Sequence, residues 1–397
     1  MPEPMHFGTF VAPYHSMSED PTLTLHQDLE LMEWIERLGY HEAWIGEHHS
    51  AGVETISSPE IFIAGAAART KRLKLGTGVI SLPYHNPFNV ANRIVQLDHQ
   101  TRGRIMFGVG PGLLASDAMM LGIDPIVQRD RMAESLEIII RLFRGETVTQ
   151  QSDWYNLVEA KLHILPYSYP HPEIAVASAV TPSGGRLAGR YGLSMLCVAA
   201  DDPSGFDALS ANWQVACETA AQSGHQMDIR DLRVVRLHIA ETKAQALEDV
   251  KYGLETYINY LNNNQQRFTI PPGVDLAEWF CQTGYISVGT PDDACNLVEN
   301  LIRKQGRFGT FLIAAHNWAN WEATKRSYEL FARFVAPRIN QANEARRASY
   351  DWVTANREEF SGKRIAAARA AFDKHATPQP SGGTERVTRP TRGREAW

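Results

Sequence analysis

Hydrophobic and polar positions switch between two periods along most of this chain of 397 residues. Short runs dense in Val, Ile, Leu, Phe and Ala predict strands at His6–Val11, Glu42–Glu47, Leu73–Ile80, Arg104–Val109, Glu173–Ala179, Leu193–Val198, Leu232–Ala240 and Thr310–Ala315. Several are nearly continuous in apolar residues, the mark of strands buried on both faces. Between them, apolar residues recur at helical spacing. Leu25, Leu29, Met32 and Ile35 make one stripe, stopped by Gly39; Met132, Leu136, Ile140 and Phe143 make another, ending before Gly145. A helix after each strand builds a parallel sheet, and eight such units predict an α/β fold closed into a (β/α)8 TIM barrel. An open doubly wound sheet is the competing architecture. It usually has fewer units, and no dinucleotide fingerprint follows the first strand.

Three stretches exceed ordinary loop length: Leu113–Ile126, Glu146–Pro172, and Asn262 to Gly289. Loops after strands open on the catalytic face of such a barrel, so insertions at the C-terminal face are expected to wall a pocket. Met119, Met120, Trp154, Tyr155, Trp279 and Phe280 would make that pocket apolar, or else fill the shell between barrel and insertions. The barrel is expected to span residues 1–345, with a helical extension over 346–375. From 376 to 397 the chain turns to Pro, Gly, Ser, Thr and Arg, which have little to bury, and a disordered tail is expected.

Composition narrows the function classes. With 44% hydrophobic residues the chain can bury a full core, and a net charge of −6 argues against nucleic acid as a partner. No apolar stretch approaches the roughly 18 residues that would span a membrane. The start, MPEPMHFGTF, lacks the basic and apolar segments of a secretory signal, and Cys197, Cys217, Cys281 and Cys295 form no CxxC pair. A cytoplasmic protein with reduced thiols is expected.

Four constellations could carry chemistry. Glu47-His48-His49 ends the second strand, where alternation sends the two imidazoles to opposite sides; one becomes a site candidate able to shuttle protons, the other a packing residue. Both could equally be structural. Glu47, His48, His49 and Glu54 are also metal-ligand types, but HEXXH spacing is absent and neighbouring strand residues diverge, so no metal is expected. Gly76-Thr77-Gly78-Val79 ends the third strand, and glycines inside a strand mark a ligand's close approach or a bulge. Gly108-Val109-Gly110-Pro111-Gly112 follows the fourth strand. It is not a dinucleotide loop, because Leu113 stands where the third glycine would be and Pro111 removes a donor. Ser178-Ala179-Val180-Thr181-Pro182-Ser183-Gly184-Gly185, after the fifth strand, offers hydroxyls and free N–H groups at a helix start, an anion cradle that plain N-capping would explain as well. Together they place a histidine, a glycine-lined cavity and a phosphate cradle at one barrel mouth, which suits a phosphorylated planar cofactor such as FMN.

The stretches EAWIGEHH, KLGTGVISLPYHNP, QLDHQTRGRIMFGVGPG, PSGGRLAGRYG and SVGTPDDACNLVENLI resemble, in order and over roughly residues 6 to 340, the bacterial luciferase-like flavin monooxygenases. WIGEHHSAG, SLPYHNP and FGVGPG are most similar to the limonene 1,2-monooxygenase type. The resemblance implies a two-component enzyme: a separate NAD(P)H:flavin reductase supplies reduced FMN, with FAD as the other option, and a peroxyflavin oxidises a small apolar substrate (terpene-, alkene- or ketone-like) with dioxygen. It implies that His48 lies beside the flavin ring and that Gly78 and Val79 form a non-proline cis bond beneath it. Gly110 would lie along the ring, and Ser178, Ala179, Val180, Thr181, Ser183 and Gly184 near the phosphate. A homodimer is implied as well. Luciferases proper carry an Arg where this chain has Pro111. A deazaflavin-dependent, hydride-transferring oxidoreductase and a non-catalytic flavin-binding protein are the alternatives.

Overall fold

The computed structural model describes residues 3–12, 14–200, 202–227, 232–265 and 268–376. Eight strands form a ring: β1 (His6–Val11), β2 (Glu42–Ile45), β3 (Lys74–Thr77), β4 (Ile105–Gly110), β5 (Glu173–Ser178), β6 (Ser194–Cys197), β7 (Leu232–Val235) and β8 (Thr310–Ala315). Each is hydrogen-bonded in parallel to its successor, and His6↔Thr310 through Val11↔Ala315 joins the last strand to the first. The fold is the expected (β/α)8 barrel. Helices between strands include α1 (Pro21–Leu38), α2 (Pro59–Arg69), α3 (Pro87–Thr101), α4 (Gln128–Phe143) and α5 (Ser183–Tyr191). In α1, Leu31, Met32 and Ile35 are buried and Asp20 caps the first turn by accepting from Thr22 and Leu23 N–H. Gly39 then closes it at φ 85°.

Trp44 fills the barrel lumen, and small residues around it are the reason it fits. A Cβ on Gly76 would sit 2.5 Å from its ring, one on Gly78 2.9 Å from its Cβ, and one on Gly108 3.0 Å from its ring. Its indole N–H donates to Glu42 (3.1 Å). Met106, Ala175, Leu196, Val234, Leu312 and Ala314 complete the layer, with Phe10, Val79 and Val198 packed against it. A tryptophan belted by glycines is thus the floor on which any ligand at the mouth must rest.

Two predicted strands break off three or more residues before their expected ends. The run Leu73–Ile80 leaves the ladder after Thr77: the Gly78–Val79 peptide is cis, and Ile80–Ser81 then rejoins opposite Val109 and Gly110. The run Leu232–Ala240 divides at Arg236, because Leu237–Ile239 pairs outside the barrel with Ser287–Gly289.

The long stretches differ in fate. Glu146–Pro172 follows a helix, not a strand, and folds into a hairpin of Val148–Gln151 with Asn156–Ala160 packed on α4. Trp154 and Tyr155 donate to Glu134 of α4 (2.9 and 3.0 Å), so they belong to the shell and do not wall a pocket. Met119 and Met120, on the short helix Ala115–Met120, are exposed. Phe280 is buried in a cluster with Tyr14, Val53, Tyr257 and Trp318, and Trp279 packs beside it, at the strand ends where the mouth lies.

A second unit begins at Ala342, after Gln341, and contains the helices Glu344–Ala355 and Arg357–His375. Residues 377–397, where disorder is expected from composition, lie outside the described residues. Among the described residues no helix is long and apolar enough to cross a membrane.

Candidate active site at the barrel mouth

The chain turns back on itself just beyond β2. Ala51 and Gly52 take φ values of 67° and 76°, and the returning segment lets Ile56 C=O accept from His48 N–H (3.1 Å). Glu54 also bridges to Tyr14 at the end of β1. This reversal brings the Glu54 carboxylate to His48 Nε2.

The strand expected to reach Glu47 ends at Ile45, so alternation along it does not set the directions of His48 and His49; their rings nevertheless turn to different carboxylates. His48 Nε2 lies 3.1 Å from Glu54 Oε2, and its Nδ1 lies 3.1 Å from Asp117 Oδ2. Asp117 accepts further bonds from Ser50 Oγ and His49 N–H. Glu54 accepts from Tyr260 Oη at 2.6 Å. Burial works against charge on His48, yet Glu54 and Asp117, with Glu47 behind them, outweigh it and raise its pKa above the ordinary imidazole value. Asp117 is likewise desolvated, but His48 and Ser50 hold its carboxyl below the usual range.

His49 turns instead to Glu47, whose Oε1 accepts from His49 Nε2 (2.9 Å) and His85 Nε2 (2.6 Å) while Oε2 accepts from Ser81 N–H (2.6 Å). Burial opposes the Glu47 charge, and these donors overcome it, so its pKa is lowered. The bond to Glu47 raises that of His49. Glu47, His49 and His85 stand close enough together to ligate a cation. Three donors already share the Glu47 carboxylate, which accounts for the cluster as a hydrogen-bonded brace of the β2 and β3 ends.

The remaining sequence candidates fall into two groups. Gly78, Val79 and Gly110 come together: Ser81 is in register with Gly110, and a Cβ on Gly110 would collide with Val79 Cγ2 and touch Ala177 Cβ at 3.5 Å. They form an apolar platform in which Val79, with Phe10, packs against the Trp44 layer. The other group lies at the start of α5. Gly184 must be glycine because a Cβ would strike the Ala177 carbonyl, and this close approach sets the helix start against Ser178. Ser178 Oγ is buried with no hydrogen-bond partner. Ala179 and Val180 offer carbonyls to Asn212 (3.2 and 3.4 Å), while Thr181 and Ser183 bond each other at 2.9 Å and are exposed. No side chain caps α5, so capping does not explain the hydroxyls. An orphaned buried hydroxyl beside an uncapped helix start fits a phosphate, and the platform fits a flat ring.

Asp117 and Tyr260 escape a sequence reading. They lie 69 and 206 residues from the groups they serve, His48 and Glu54, and nothing in the local pattern of either marks it.

Comparison with known proteins decides the class. Residues 5–328 match the model of the luciferase-like monooxygenases. The chain belongs to the luciferase-like monooxygenase family. It is 46% identical to limonene 1,2-monooxygenase of Rhodococcus erythropolis over 92% of this chain and 97% of that one. It is also 46% identical to 4-hydroxyprotoasukamycin monooxygenase of Streptomyces nodosus subsp. asukaensis, over 92% of this chain and all of that one. Its fold is similar to the oxygenating constituent of 3,6-diketocamphane monooxygenase from Pseudomonas putida, a type II Baeyer–Villiger enzyme solved with FMN. The TM-score is 0.72 and the identity 26%, over 84% of this chain and 99% of that one. This member of the family is a flavin-dependent monooxygenase.

Proposed function

We propose that this monooxygenase is the oxygenase component of a two-component system, fed with reduced FMN by a separate NAD(P)H:flavin reductase, that places one atom of dioxygen on a small apolar substrate. The observation that carries the reading is the meeting, at one barrel mouth, of the Val79–Gly110 platform, the partly buried histidine His48 and the uncapped α5 start beside Ser178. Bound reduced flavin supplies the activation of dioxygen. Ser178, Thr181, Ser183 and the first N–H groups of α5 would hold its phosphate, with Ala179, Val180 and Gly184 shaping the cradle. Gly78, Val79 and Gly110 would support its ring, and His48 would hold or move a proton beside it. The apolar layer and the aromatic cluster around Phe280 exclude water, which keeps reduced oxygen species from leaking away as hydrogen peroxide.

Relatives of equal similarity are named for limonene and for 4-hydroxyprotoasukamycin, so identity alone does not select the substrate. The test is turnover with isotopically labelled dioxygen, FMN, NADH, a flavin reductase and a panel of cyclic alkenes and ketones. One labelled atom per product molecule is expected. Product formed without dioxygen would replace the reading with deazaflavin-type hydride transfer.

A further inference from the structure

Both ring nitrogens of His48 face carboxylates, one from its own loop after β2 and one from the segment after β4. Asp117 follows β4; its Oδ2 meets His48, and its Oδ1 accepts from Ser50 Oγ and His49 N–H. Glu54 is supplied by the reversal at Ala51–Gly52 and is in turn held by Tyr260, on the helix Leu254–Gln265 of the long excursion between β7 and β8. A neutral imidazole has one N–H and one bare lone pair. Set between two carboxylates at 3.1 Å, it would turn that lone pair on an anion; the imidazolium instead donates to Asp117 and pairs its charge with Glu54.

We propose that Glu54, clamped by Tyr260, is a positioning residue that holds His48 as a doubly protonated imidazolium, so that His48 enters the reaction as a proton donor. This builds on the functional reading above, in which His48 lies beside the flavin, and gives it a direction. When one N–H proton leaves, a neutral imidazole stands between two carboxylates, and that pair of charges draws a proton back from solvent. Tyr260 donates to Glu54 Oε1, leaving Oε2 for His48, so the phenol fixes which oxygen meets the ring. Other titratable groups around this centre are Glu47 and His49 from the same segment, Tyr84 beyond Asp117, and Tyr14 beside Glu54. Of these, Glu47 is committed to His49, His85 and Ser81, and no hydrogen bond joins Tyr14 Oη to the cluster. Glu54 and Asp117 therefore dominate the field at His48.

The test is ¹⁵N NMR of the full chain, without flavin, labelled at its 14 histidines. The His48 signals are assigned by their loss in His48→Gln. In the wild type both His48 nitrogens should carry protons at neutral pH and titrate above the ordinary imidazole range. Glu54→Gln keeps the shape and removes the charge; it should lower the His48 midpoint by at least about one unit, a tenfold loss of proton affinity. Tyr260→Phe should lower it by less, because Glu54 keeps its charge and loses only its anchor. An unmoved midpoint in Glu54→Gln, or a wild-type His48 with one bare nitrogen at neutral pH, overturns the proposal. A Tyr260→Phe midpoint equal to the wild type removes Tyr260 from it. If Glu54→Gln does not fold, the wild-type spectrum and Tyr260→Phe still decide. Because flavin is absent, these outcomes are independent of whether oxygen transfer is the reaction catalysed.

Discussion

Replacing His48 separates a catalytic from a structural role, and the structure sets the size of each effect. The ring meets Glu54 and Asp117, but neither carboxylate depends on it alone. Asp117 keeps Ser50 Oγ and His49 N–H, and Glu54 keeps Tyr260. Removing one partner of a fully buried ion pair costs about 3–5 kcal/mol, and the donors that remain here should reduce this to about 1–3 kcal/mol. Loss of an acid or base in the reaction costs about 10²–10⁴ in rate, equivalent to about 3–5 kcal/mol of barrier. His48→Ala should therefore fold, melt a few degrees lower, and still bind reduced FMN. With a flavin reductase, NADH and substrate present, it should consume NADH and release hydrogen peroxide in place of oxidised product. His49→Ala is the control: Glu47 retains His85 and Ser81, so stability falls modestly and product per NADH stays high. The reasoning is refuted if His48→Ala keeps the wild-type yield of product per NADH, which would make His48 a brace and nothing more.

Three further outcomes follow from separate parts of the molecule. Ser183→Asp puts a negative charge at the uncapped start of α5; the reduced-FMN dissociation constant, measured by anaerobic titration, should rise about 10-fold or more while the melting curve stays put, and unchanged affinity would move the phosphate elsewhere. Gly76→Ala drives a Cβ to within 2.5 Å of the Trp44 ring and should cost about 1–3 kcal/mol. In combination with Trp44→Leu that penalty should largely vanish, and strictly additive losses in a denaturation cycle would show that the ring does not set the lumen. The Glu47 network should stabilise the fold over a bounded pH window. The lowered Glu47 pKa adds stability above the ordinary carboxylate value of about 4.3, lost as pH falls through its folded value; the raised His49 pKa adds stability below about 6.5, lost as pH rises through its folded value. Melting temperatures of Glu47→Gln should consequently differ from the wild type least at the two extremes, and a constant offset across pH would defeat the argument.

The barrel was legible because buried parallel strands must be apolar on both faces, which leaves continuous runs that no amphipathic helix imitates. The two largest breaks, at Thr77 and at Val235, arise for reasons outside hydropathy. At the first the backbone turns through the Gly78–Val79 peptide; at the second the chain finds another partner in Ser287–Gly289. Apolarity is the same before and after both breaks, so the pattern carries no sign of them. The fate of Trp154 and Tyr155 was invisible for a related reason. An aromatic residue in a long loop reads alike whether the loop covers the mouth or packs on α4, and Glu134, which settles it, looks like any solvated helix residue.

The candidate site divides along the same line. Residues whose requirement is steric were readable: Gly78, Gly110 and Gly184 stand where a Cβ would collide with Trp44, Val79 or the Ala177 carbonyl, and glycine in a strand or at a tight helix start is itself a signal. Residues whose requirement is electrostatic were only half readable. His48 announced itself by type and position, but what an imidazole does depends on what faces its two nitrogens, and those partners arrive from loops 6 and 69 residues along the chain, with Tyr260 206 residues beyond Glu54. The long excursion before β8 thus supplies both the aromatic cluster around Phe280 and the Tyr260 phenol that donates to Glu54. If Glu54 holds the charge state of His48 as proposed, a chain in which the excursion opens would lose the phenol's grip on Glu54 and, with it, the geometry that favours a proton donor. The same segment that keeps water out would then hold the proton in place, and the two requirements of oxygen transfer, dryness and a correctly placed proton, would be met by one element.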